Sequence, residues 1–214
     1  MRSGVRPARD GAGSPNLYGP CVPNVSFADK PTLRGQVAVL QPVTLADVPR
    51  LHELMQDRET TVLTGSTHRS DASDAVEHPV AVLEEVYARW ATADDRLVWT
   101  VRAAGDDTVL GEVVLNDHDP DNRSCALRLW LGEGRGRGLG TEATRLAVDH
   151  AFGALGLQRV ELEVYAFNPR ARHVYEKVGF VLEGTRRQAL RFDDGWVDCH
   201  VMAMVRSDWQ PGPT

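Results

Sequence analysis

A glycine-rich segment near the middle of the chain places the strongest constraint on how the chain can fold. From Gly134 to Gly140 every second residue is glycine, and two of the residues between them are Arg135 and Arg137. The apolar stretch 124–131 precedes this segment, and a pattern with helical spacing follows it. Glycines at the start of a helix let several backbone N–H groups converge on one point, where their dipoles favour phosphate. We therefore predict a strand, a phosphate-binding loop and a helix in succession.

Two common kinds of nucleotide-binding loop fit this segment poorly. It is not a P-loop, because no Gly-Lys-Ser/Thr sequence is present. Gly138, Gly140 and Ala143 match the loose dinucleotide-binding pattern, and Glu161 lies near the position of its acidic residue. That pattern normally follows the first strand of a βαβ unit, whereas here it follows several predicted antiparallel strands. A dinucleotide site is therefore disfavoured.

Hydrophobic periodicity predicts a single α/β (α+β) domain, with a mixed, mostly antiparallel central sheet flanked by helices. The predicted strands are 37–43, 97–103, 108–115, 124–131, 159–167, 180–183 and 196–205. The predicted helices are 44–57, one that begins at Pro79, one that ends at Leu155, and 169–178, which Asn168 can cap. The polar stretch 60–79 is interpreted as a loop over a site.

The first 36 residues differ in composition from the rest. They contain five prolines and five glycines and show no apolar periodicity. We predict a disordered or loosely attached extension over 1–36, with partial attachment near 22–27; a substrate lid or a dimer arm is the alternative. The predicted domain covers 37–209, and 210–214 form a short tail. The extension carries +3 of the total charge of −6, so the remaining residues carry −9.

Composition excludes several classes of protein. The net charge of −6 argues against a protein that mainly binds nucleic acid, and no apolar run is long enough for a membrane span. Three cysteines without a CxxC spacing argue against a disulfide scaffold or a metal site. The N-terminus has no apolar segment typical of a signal peptide. We expect a cytoplasmic monomer or homodimer without a metal.

Several motifs together resemble the GNAT acetyltransferase superfamily, in particular its Rim-type (ribosomal-protein N-terminal acetyltransferase) branch. Arg135, Gly138 and Gly140 match the Arg/Gln-x-x-Gly-x-Gly/Ala loop with which that family binds coenzyme A. The resemblance covers about residues 37–209. The other matching positions are Gly140 to Ala143, Ala151-Phe152, the run from Asn168 through Tyr175 to Gly179-Phe180, and Glu183-Gly184.

The resemblance implies which residues hold acetyl-CoA. The strand before the loop binds the pantetheine through its backbone, and an N–H at Leu129, Trp130 or Leu131 polarises the thioester carbonyl. Asn168 and Arg172 also belong to the implied cofactor site. The pyrophosphate is held by the loop, whose residues are Arg135, Gly136, Arg137, Gly138, Leu139, Gly140 and Thr141.

The resemblance also implies a catalytic acid and leaves the base open. Tyr175 occupies the position of the family's general acid, although its helical stripe is equally compatible with a core tyrosine. Some relatives carry a glutamate on the strand before the loop, and this chain does not. Glu112 is the preferred base; Asp117, Glu163 and ordered water are alternatives.

The predicted function is transfer of acetyl from acetyl-CoA to a primary amine. The charge of −9 outside the extension favours a small cationic acceptor, such as an amino-sugar, a polyamine or an amine-bearing antibiotic. One alternative is the α-amine of a protein N-terminus, which the Rim-type resemblance suggests. A second alternative is a coenzyme A-binding sensor without catalysis, because the strand glutamate is missing.

Overall fold

The computed structural model describes residues 26–211, which form an eight-stranded sheet and five α-helices. A 3-10 turn precedes α1, and a π-helical turn at His150–Ala154 extends α4. The strands are β1 (Leu33–Arg34), β2 (Ala38–Pro42), β3 (Leu97–Ala103), β4 (Val109–Asp119), β5 (Ser124–Leu131), β6 (Arg159–Tyr165), β7 (Val181–Phe192) and β8 (Gly195–Val205). The helices are α1 (Val48–Met55), α2 (Arg58–Leu63), α3 (Val80–Thr92), α4 (Leu139–Asp149) and α5 (Pro169–Val178).

The sheet is mixed and mostly antiparallel, which confirms the predicted fold class. Its strand order is β1-β2-β3-β4-β5-β6-β8-β7, and only β5 and β6 pair in parallel. Short turns join β3, β4 and β5, as an antiparallel meander requires, whereas α4 supplies the long crossover that a parallel pair needs. The order of elements along the chain therefore determines where the single parallel contact falls.

The parallel pair is short, and this opens the sheet. β5 and β6 pair at three positions only, and the last of them joins Ala126 to Glu161. Beyond these residues β5 continues to Leu131 and β6 to Tyr165 without pairing with each other. The carboxyl ends of the two strands thus leave a cleft in the sheet, with unpaired backbone on the facing edges.

Helices cover the two faces of the sheet unequally. On one face α4 and α5 pack against the larger core, in which Trp99, Phe152 and Met202 are fully buried. On the other face α1 and α3 cover a smaller core around Leu51 and Val98. Neighbouring residues such as Val98 and Trp99 enter different cores because successive side chains of a strand point to opposite faces.

Residues 26–36, the part of the predicted extension that the structure describes, pack against the predicted domain. Phe27 is 1% exposed and stacks on His118 with ring centroids 4.4 Å apart. The Nζ of Lys30 donates to the carbonyl oxygens of Ala93 and Arg96 at 2.8 and 2.9 Å. A single aromatic anchor and a few backbone contacts attach this segment, and neither produces a periodic pattern. Residues 1–25 and 212–214, which include other parts of the predicted extension and tail, lie outside the described residues.

Two further elements depart from the sequence prediction. Within the predicted loop the chain forms α2, whose capping residue Asp57 accepts a hydrogen bond from the Thr60 N–H at 2.8 Å. Strand β7 runs to Phe192 rather than ending at Glu183. Most of β7 is exposed on both faces, so the alternation of apolar and polar residues that reveals a strand is missing. No helix within residues 26–211 has the length and hydropathy needed to cross a membrane.

Candidate active site

The cleft between β5 and β6 continues into one large cavity of about 1160 Å³. Its walls come from the ends of both strands, the glycine-rich loop, α5 and residues of α1, α2 and α3. The predicted site residues that line it are Glu112, Leu129, Trp130, Leu131, Arg135, Gly136, Gly138, Gly140, Thr141, Asn168 and Tyr175. Arg137, Leu139 and Arg172 do not line it. The fold therefore brings most of the predicted set to one place.

The glycine-rich loop presents free backbone donors at the start of α4. Gly136 and Gly138 have φ values of +82° and +84°, a conformation that favours glycine, and Gly138 is the capping residue of the helix. Among the described residues, no backbone or side-chain acceptor receives a hydrogen bond from the N–H groups between Gly134 and Gly138. The first N–H groups of α4 also lack intrahelical partners. This arrangement fits the pyrophosphate of a coenzyme.

The two arginines of the loop behave differently from each other. Arg135 pairs with Asp57 and with Glu59, each at 3.1 Å, and also donates to the Thr60 hydroxyl at 2.5 Å. Its side chain therefore links the loop to the start of α2. Arg137 is exposed and does not line the cavity.

Leu139 and Arg172 have surroundings that the sequence did not predict. The Leu139 side chain is buried in a small core with Ala38 and Leu110, so only its backbone is available to a ligand. Arg172 forms an ion pair with Glu176 at 2.8 Å, one turn along α5.

Asn168 caps α5, as the sequence predicts. Its Oδ1 accepts a hydrogen bond from the Ala171 N–H at 3.0 Å, and Pro169 occupies the first turn. Its Nδ2 faces the carbonyl oxygen of Leu63 at 3.5 Å. The residue thus holds the start of α5 against the end of α2 at the margin of the cleft.

Tyr175 combines a core ring with a hydroxyl at the cleft wall. The residue is 5% exposed, and its ring packs edge-on against Phe180 with centroids 6.0 Å apart. Burial raises the pKa of Tyr175 to about 12. Within residues 26–211 the hydroxyl has no hydrogen-bond partner, so its donor is free for a ligand in the cleft.

Glu112 is buried and accepts hydrogen bonds from two neighbouring side chains. The Tyr87 hydroxyl donates to its Oε2 at 2.6 Å, and the Trp130 indole N–H donates to its Oε1 at 3.2 Å. Burial raises the pKa of the Glu112 carboxyl, against the two hydrogen bonds, which lower it. Sequence reasoning missed Tyr87, because its position on the apolar side of α3 marks it only as a core residue.

The alternative bases have more polar surroundings. Glu163 lines the cleft and forms an ion pair with Arg186 of β7. Asp117 is exposed, has a φ of +54° and accepts a hydrogen bond from Nδ2 of Asn116 at 2.9 Å. Asn116 itself lines the cleft and was not singled out by the sequence.

The loop between α2 and α3 bridges the cleft to the β7–β8 hairpin. The Asp193 N–H donates to the His68 carbonyl oxygen at 2.7 Å, and the Ser70 N–H donates to the Asp193 carboxylate at 2.9 Å. Ser66, Ala75, Val76 and His78 of this loop line the cavity. The polar stretch predicted to lie over a site thus lines the cavity. Within residues 26–211 no group of three or more His, Cys, Asp or Glu side chains is placed to hold a metal ion.

Comparisons with known proteins agree on one family. Residues 38–181 match the family model described as an acetyltransferase (GNAT) domain. The probable N-acetyltransferase YjcK of Bacillus subtilis is 29% identical over 178 residues, which cover 82% of this chain and 98% of that protein. The spermidine N(1)-acetyltransferase of Escherichia coli is 31% identical over 103 residues, covering 48% of this chain and 54% of that protein.

A solved structure shows the same fold. The spermidine N-acetyltransferase of Vibrio cholerae, in complex with CoA and spermine, superposes with a TM-score of 0.70 at 23% sequence identity. The superposition covers 80% of this chain and 96% of that one. The likeness between the two chains is therefore one of fold.

Proposed function

Because the chain belongs to the GNAT acetyltransferase family, we propose that it moves acetyl directly from acetyl-CoA to the primary amine of a small cationic molecule. Membership of the family makes the chain an acyltransferase. The proposal adds the donor, the kind of acceptor and the residues that act on them.

One observation carries the proposal. A single cavity joins the free N–H groups of the glycine-rich loop to the free hydroxyl of Tyr175 and the buried carboxyl of Glu112. A loop suited to phosphate, a proton donor and a proton acceptor thus line one cavity. Acetyl transfer to an amine needs these three features together.

Acetyl-CoA, when bound, supplies an acetyl group activated as a thioester. The loop N–H groups and the start of α4 bind its pyrophosphate through oriented dipoles. The edge of β5 beyond Ala126 offers backbone groups to the pantetheine, because that edge has no partner in β6. An N–H between Leu129 and Leu131 polarises the thioester carbonyl as negative charge develops on its oxygen.

The Tyr175 hydroxyl provides a proton to the leaving sulfur. A phenol with a pKa of about 12 is a weaker acid than a thiol, whose ordinary pKa is about 8.5. Complete proton transfer before the thiolate leaves is therefore uphill by roughly 5 kcal/mol. Tyr175 acts instead in concert: its proton passes to the sulfur while the nitrogen, now bonded to the acetyl carbon, gives its second proton to the phenol oxygen, so the tyrosine ends neutral.

Glu112 accepts the proton of the attacking amine. An amine with a pKa of about 10 is mostly charged near neutral pH and must lose a proton before it attacks. Burial raises the pKa of Glu112 toward the range in which a carboxylate is an effective base. Glu163 is a poorer candidate, because the Arg186 guanidinium already occupies its carboxylate.

A small cationic acceptor is supported by charge and by one relative. Residues 37–214 carry a net charge of −9, which attracts cations during encounter. The Escherichia coli relative is named for acetylation of spermidine. The lining of the cleft carries both signs, with Arg96, Arg128 and Lys177 as well as Asp117, Glu161 and Glu163, so the charge argument rests on the chain as a whole.

The test is calorimetry with acetyl-CoA, followed by thiol release with a panel of acceptors. The panel contains spermidine, an aminoglycoside, n-butylamine and an unblocked N-terminal peptide. Tight acetyl-CoA binding and thiol release with the small amines support the proposal. Release with the peptide alone replaces the acceptor with a protein N-terminus. Binding without release for any acceptor contradicts the proposed catalysis and favours a coenzyme A sensor.

A further inference from the structure

The guanidinium of Arg135 is held by two carboxylates and a hydroxyl. Its Nη1 donates to Oε2 of Glu59 at 3.1 Å, and its Nη2 donates to Oδ2 of Asp57 at 3.1 Å and to the Thr60 hydroxyl at 2.5 Å. The side chain is only 19% exposed. Both terminal nitrogens thus have acceptors within the protein, and a coenzyme phosphate would have to displace them.

All three acceptors lie at the start of α2. Asp57 is the capping residue of this helix, and its Oδ2 also accepts a hydrogen bond from the Thr60 N–H at 2.8 Å. The first N–H groups of a helix need such an acceptor. The carboxylate that caps α2 is therefore also one of the two that hold Arg135.

Helix α2 is attached to α5 as well as to the glycine-rich loop. The second carboxylate oxygen of Glu59 faces Arg170, in the first turn of α5, at 3.6 Å. At the end of α2 the carbonyl oxygen of Leu63 faces Nδ2 of Asn168 at 3.5 Å. The glycine-rich loop follows β5, and α5 follows β6. Helix α2 therefore bridges the ends of the two strands that separate to form the cleft.

The same helix forms part of the cavity wall on the side of the proposed base. The Thr61 hydroxyl donates to the carbonyl oxygen of Met55 at 3.1 Å, which joins α2 to α1. Trp130, which pairs with Glu112 across β4 and β5, packs against the core that α1 covers. The residues of α2 that line the cavity are Thr60, Thr61 and Leu63. An acceptor that reaches Glu112 from this side therefore has α2 as one wall.

We propose that Arg135 is a positioning residue for the acceptor: together with Asp57 and Glu59 it fixes α2 as a wall of the acceptor site, and it is not a ligand of the coenzyme phosphates. This inference rests on the proposed function. The backbone N–H groups of the loop and of α4 then bind the pyrophosphate by themselves, as the start of a helix can. Arg135 thereby differs from the role that the family resemblance implied for it.

One double variant removes this link and keeps both of the elements that it joins. Asp57→Asn/Glu59→Gln takes both carboxylates away from Arg135. The loop keeps its cation, and α2 keeps its cap, because asparagine caps helices as well as aspartate does. We expect the Kd for spermidine, measured by calorimetry with coenzyme A bound, to rise by about fivefold, the upper end of what screened ion pairs contribute. The Kd for acetyl-CoA stays within about twofold of wild type, since no phosphate contact is lost.

The control variant makes the same change of charge at a nearby arginine. Glu53→Gln/Glu133→Gln removes both carboxylates from Arg50, which holds them at 2.7 and 2.8 Å, and none of these three residues lines the cavity. The Kd for spermidine stays within about twofold of wild type in this variant.

Three results would overturn the inference. An unchanged Kd for spermidine in the first double variant would show that α2 does not act on the acceptor. An equal rise in both double variants would mean that net charge alone attracts the amine. Tighter binding of acetyl-CoA in the first double variant alone would mean that the released loop arginine binds phosphate.

A further measurement needs no ligand. Hydrogen exchange followed by NMR reports on the Thr61 and Thr64 amides, which donate to the carbonyl oxygens of Asp57 and Thr60 at 2.9 and 3.0 Å. Both amides exchange faster in the first double variant and at the wild-type rate in the control variant. Unchanged exchange in the first double variant would refute the role of the ion pairs in holding α2, even where the Kd for spermidine rises.

Failure of the proposed function would be seen in the wild-type protein, whereas failure of this inference would be seen in the variants. If wild type binds spermidine but releases no thiol from acetyl-CoA, the proposed catalysis fails, and a higher Kd in the first double variant still supports α2 as a wall of an amine-binding site. If wild type binds neither a small amine nor the N-terminal peptide, the proposed acceptor and the role of Arg135 are both refuted.

Discussion

At the scale of single residues, the candidate active site contains buried side chains that also line the cleft. The Tyr175 ring packs among core side chains while its hydroxyl reaches the cleft. The Glu112 carboxyl is enclosed by Tyr87 and Trp130, which occupy one lone pair on each of its oxygens. Both residues are therefore held rigidly, because their neighbours leave them little rotational freedom.

Tyr175→Phe is expected to lower kcat by about 100-fold, in the usual range for loss of a proton donor. The acetyl-CoA affinity and the free energy of unfolding stay near those of wild type, because the hydroxyl has no hydrogen-bond partner among the described residues. Steady-state kinetics, calorimetry and urea unfolding measure the three quantities. Wild-type kcat in this variant would assign Tyr175 to the core alone.

Glu112→Gln tests the buried carboxyl through the pH dependence of stability. Because the folded-state pKa is raised, the wild-type contribution is fully present below the unfolded pKa of about 4.5 and is lost as pH rises through the folded value. Glutamine does not titrate, so the variant lacks this loss and also has a lower kcat. Urea unfolding at about pH 5 and pH 8 measures the difference.

The matched control for this prediction is Glu85→Gln, on the exposed side of α3. Its unfolding free energy should follow that of wild type at both pH values. If Glu112→Gln also follows wild type, the Glu112 carboxyl does not titrate differently in the folded protein.

At the scale of elements, α4 is fixed at its start by a carboxylate as well as by the glycine-rich loop. Glu142 accepts hydrogen bonds from the backbone N–H groups of Gln36, Val37 and Ala38 at 2.9, 2.6 and 2.5 Å. The turn between β1 and β2 is thereby joined to the first turn of the helix. This link holds the helix end that faces the cleft, so its N–H groups keep a fixed direction.

Gly138→Asp is expected to weaken acetyl-CoA binding by at least about tenfold, since a carboxylate beside the pyrophosphate repels it. The substitution also strains a residue with a φ of +84°, at a cost of about 1–2 kcal/mol in stability. Calorimetry and urea unfolding measure the two effects separately.

Gly105→Asp is the control for the backbone strain. Gly105 has a φ of +82° in the β3–β4 turn and open space around its α-carbon. We expect the same loss of stability with no change in acetyl-CoA affinity. Equal affinity loss in both variants would show that strain, and not the loop's position, is responsible.

At the scale of the whole molecule, the described part of the N-terminal segment completes the larger core. Phe27 belongs to that core, and the Trp99 indole N–H donates to the carbonyl oxygen of Pro31 at 2.8 Å. The segment therefore covers the side of the sheet on which α4 packs, close to Trp99 and His118. The domain is larger at its N-terminal end than its sequence pattern indicates.

Phe27→Ala is expected to lower the free energy of unfolding by about 3–5 kcal/mol, the usual cost of removing a buried phenylalanine ring. Ser26→Ala, at an exposed hydrogen bond next to it, should change it by less than about 0.5 kcal/mol. Urea unfolding of both variants measures the contrast. Similar values for the two would mean that the segment is not part of the cooperative core.

Much of the local structure could be predicted because its signals lie close together in sequence. The bounds of β3 and β5 agree with the prediction, and α5 begins after Asn168 and ends at Gly179, whose φ is +118°. Caps, turn glycines and alternating side chains act over a few residues. The pattern of the glycine-rich loop is likewise contained in a few consecutive residues, so it is visible in the sequence alone.

The sequence by itself therefore determined the class of fold, the position of the glycine-rich loop and a set of candidate residues most of which line the cleft. Only the tertiary structure decided which groups meet there: Tyr87 with Glu112 and Arg135 with Asp57. The partners in these pairs are 25 and 78 residues apart. Periodicity shows which face of an element a side chain occupies. It does not show which residue from a distant part of the chain contacts that side chain, because the packing of separate elements decides such contacts.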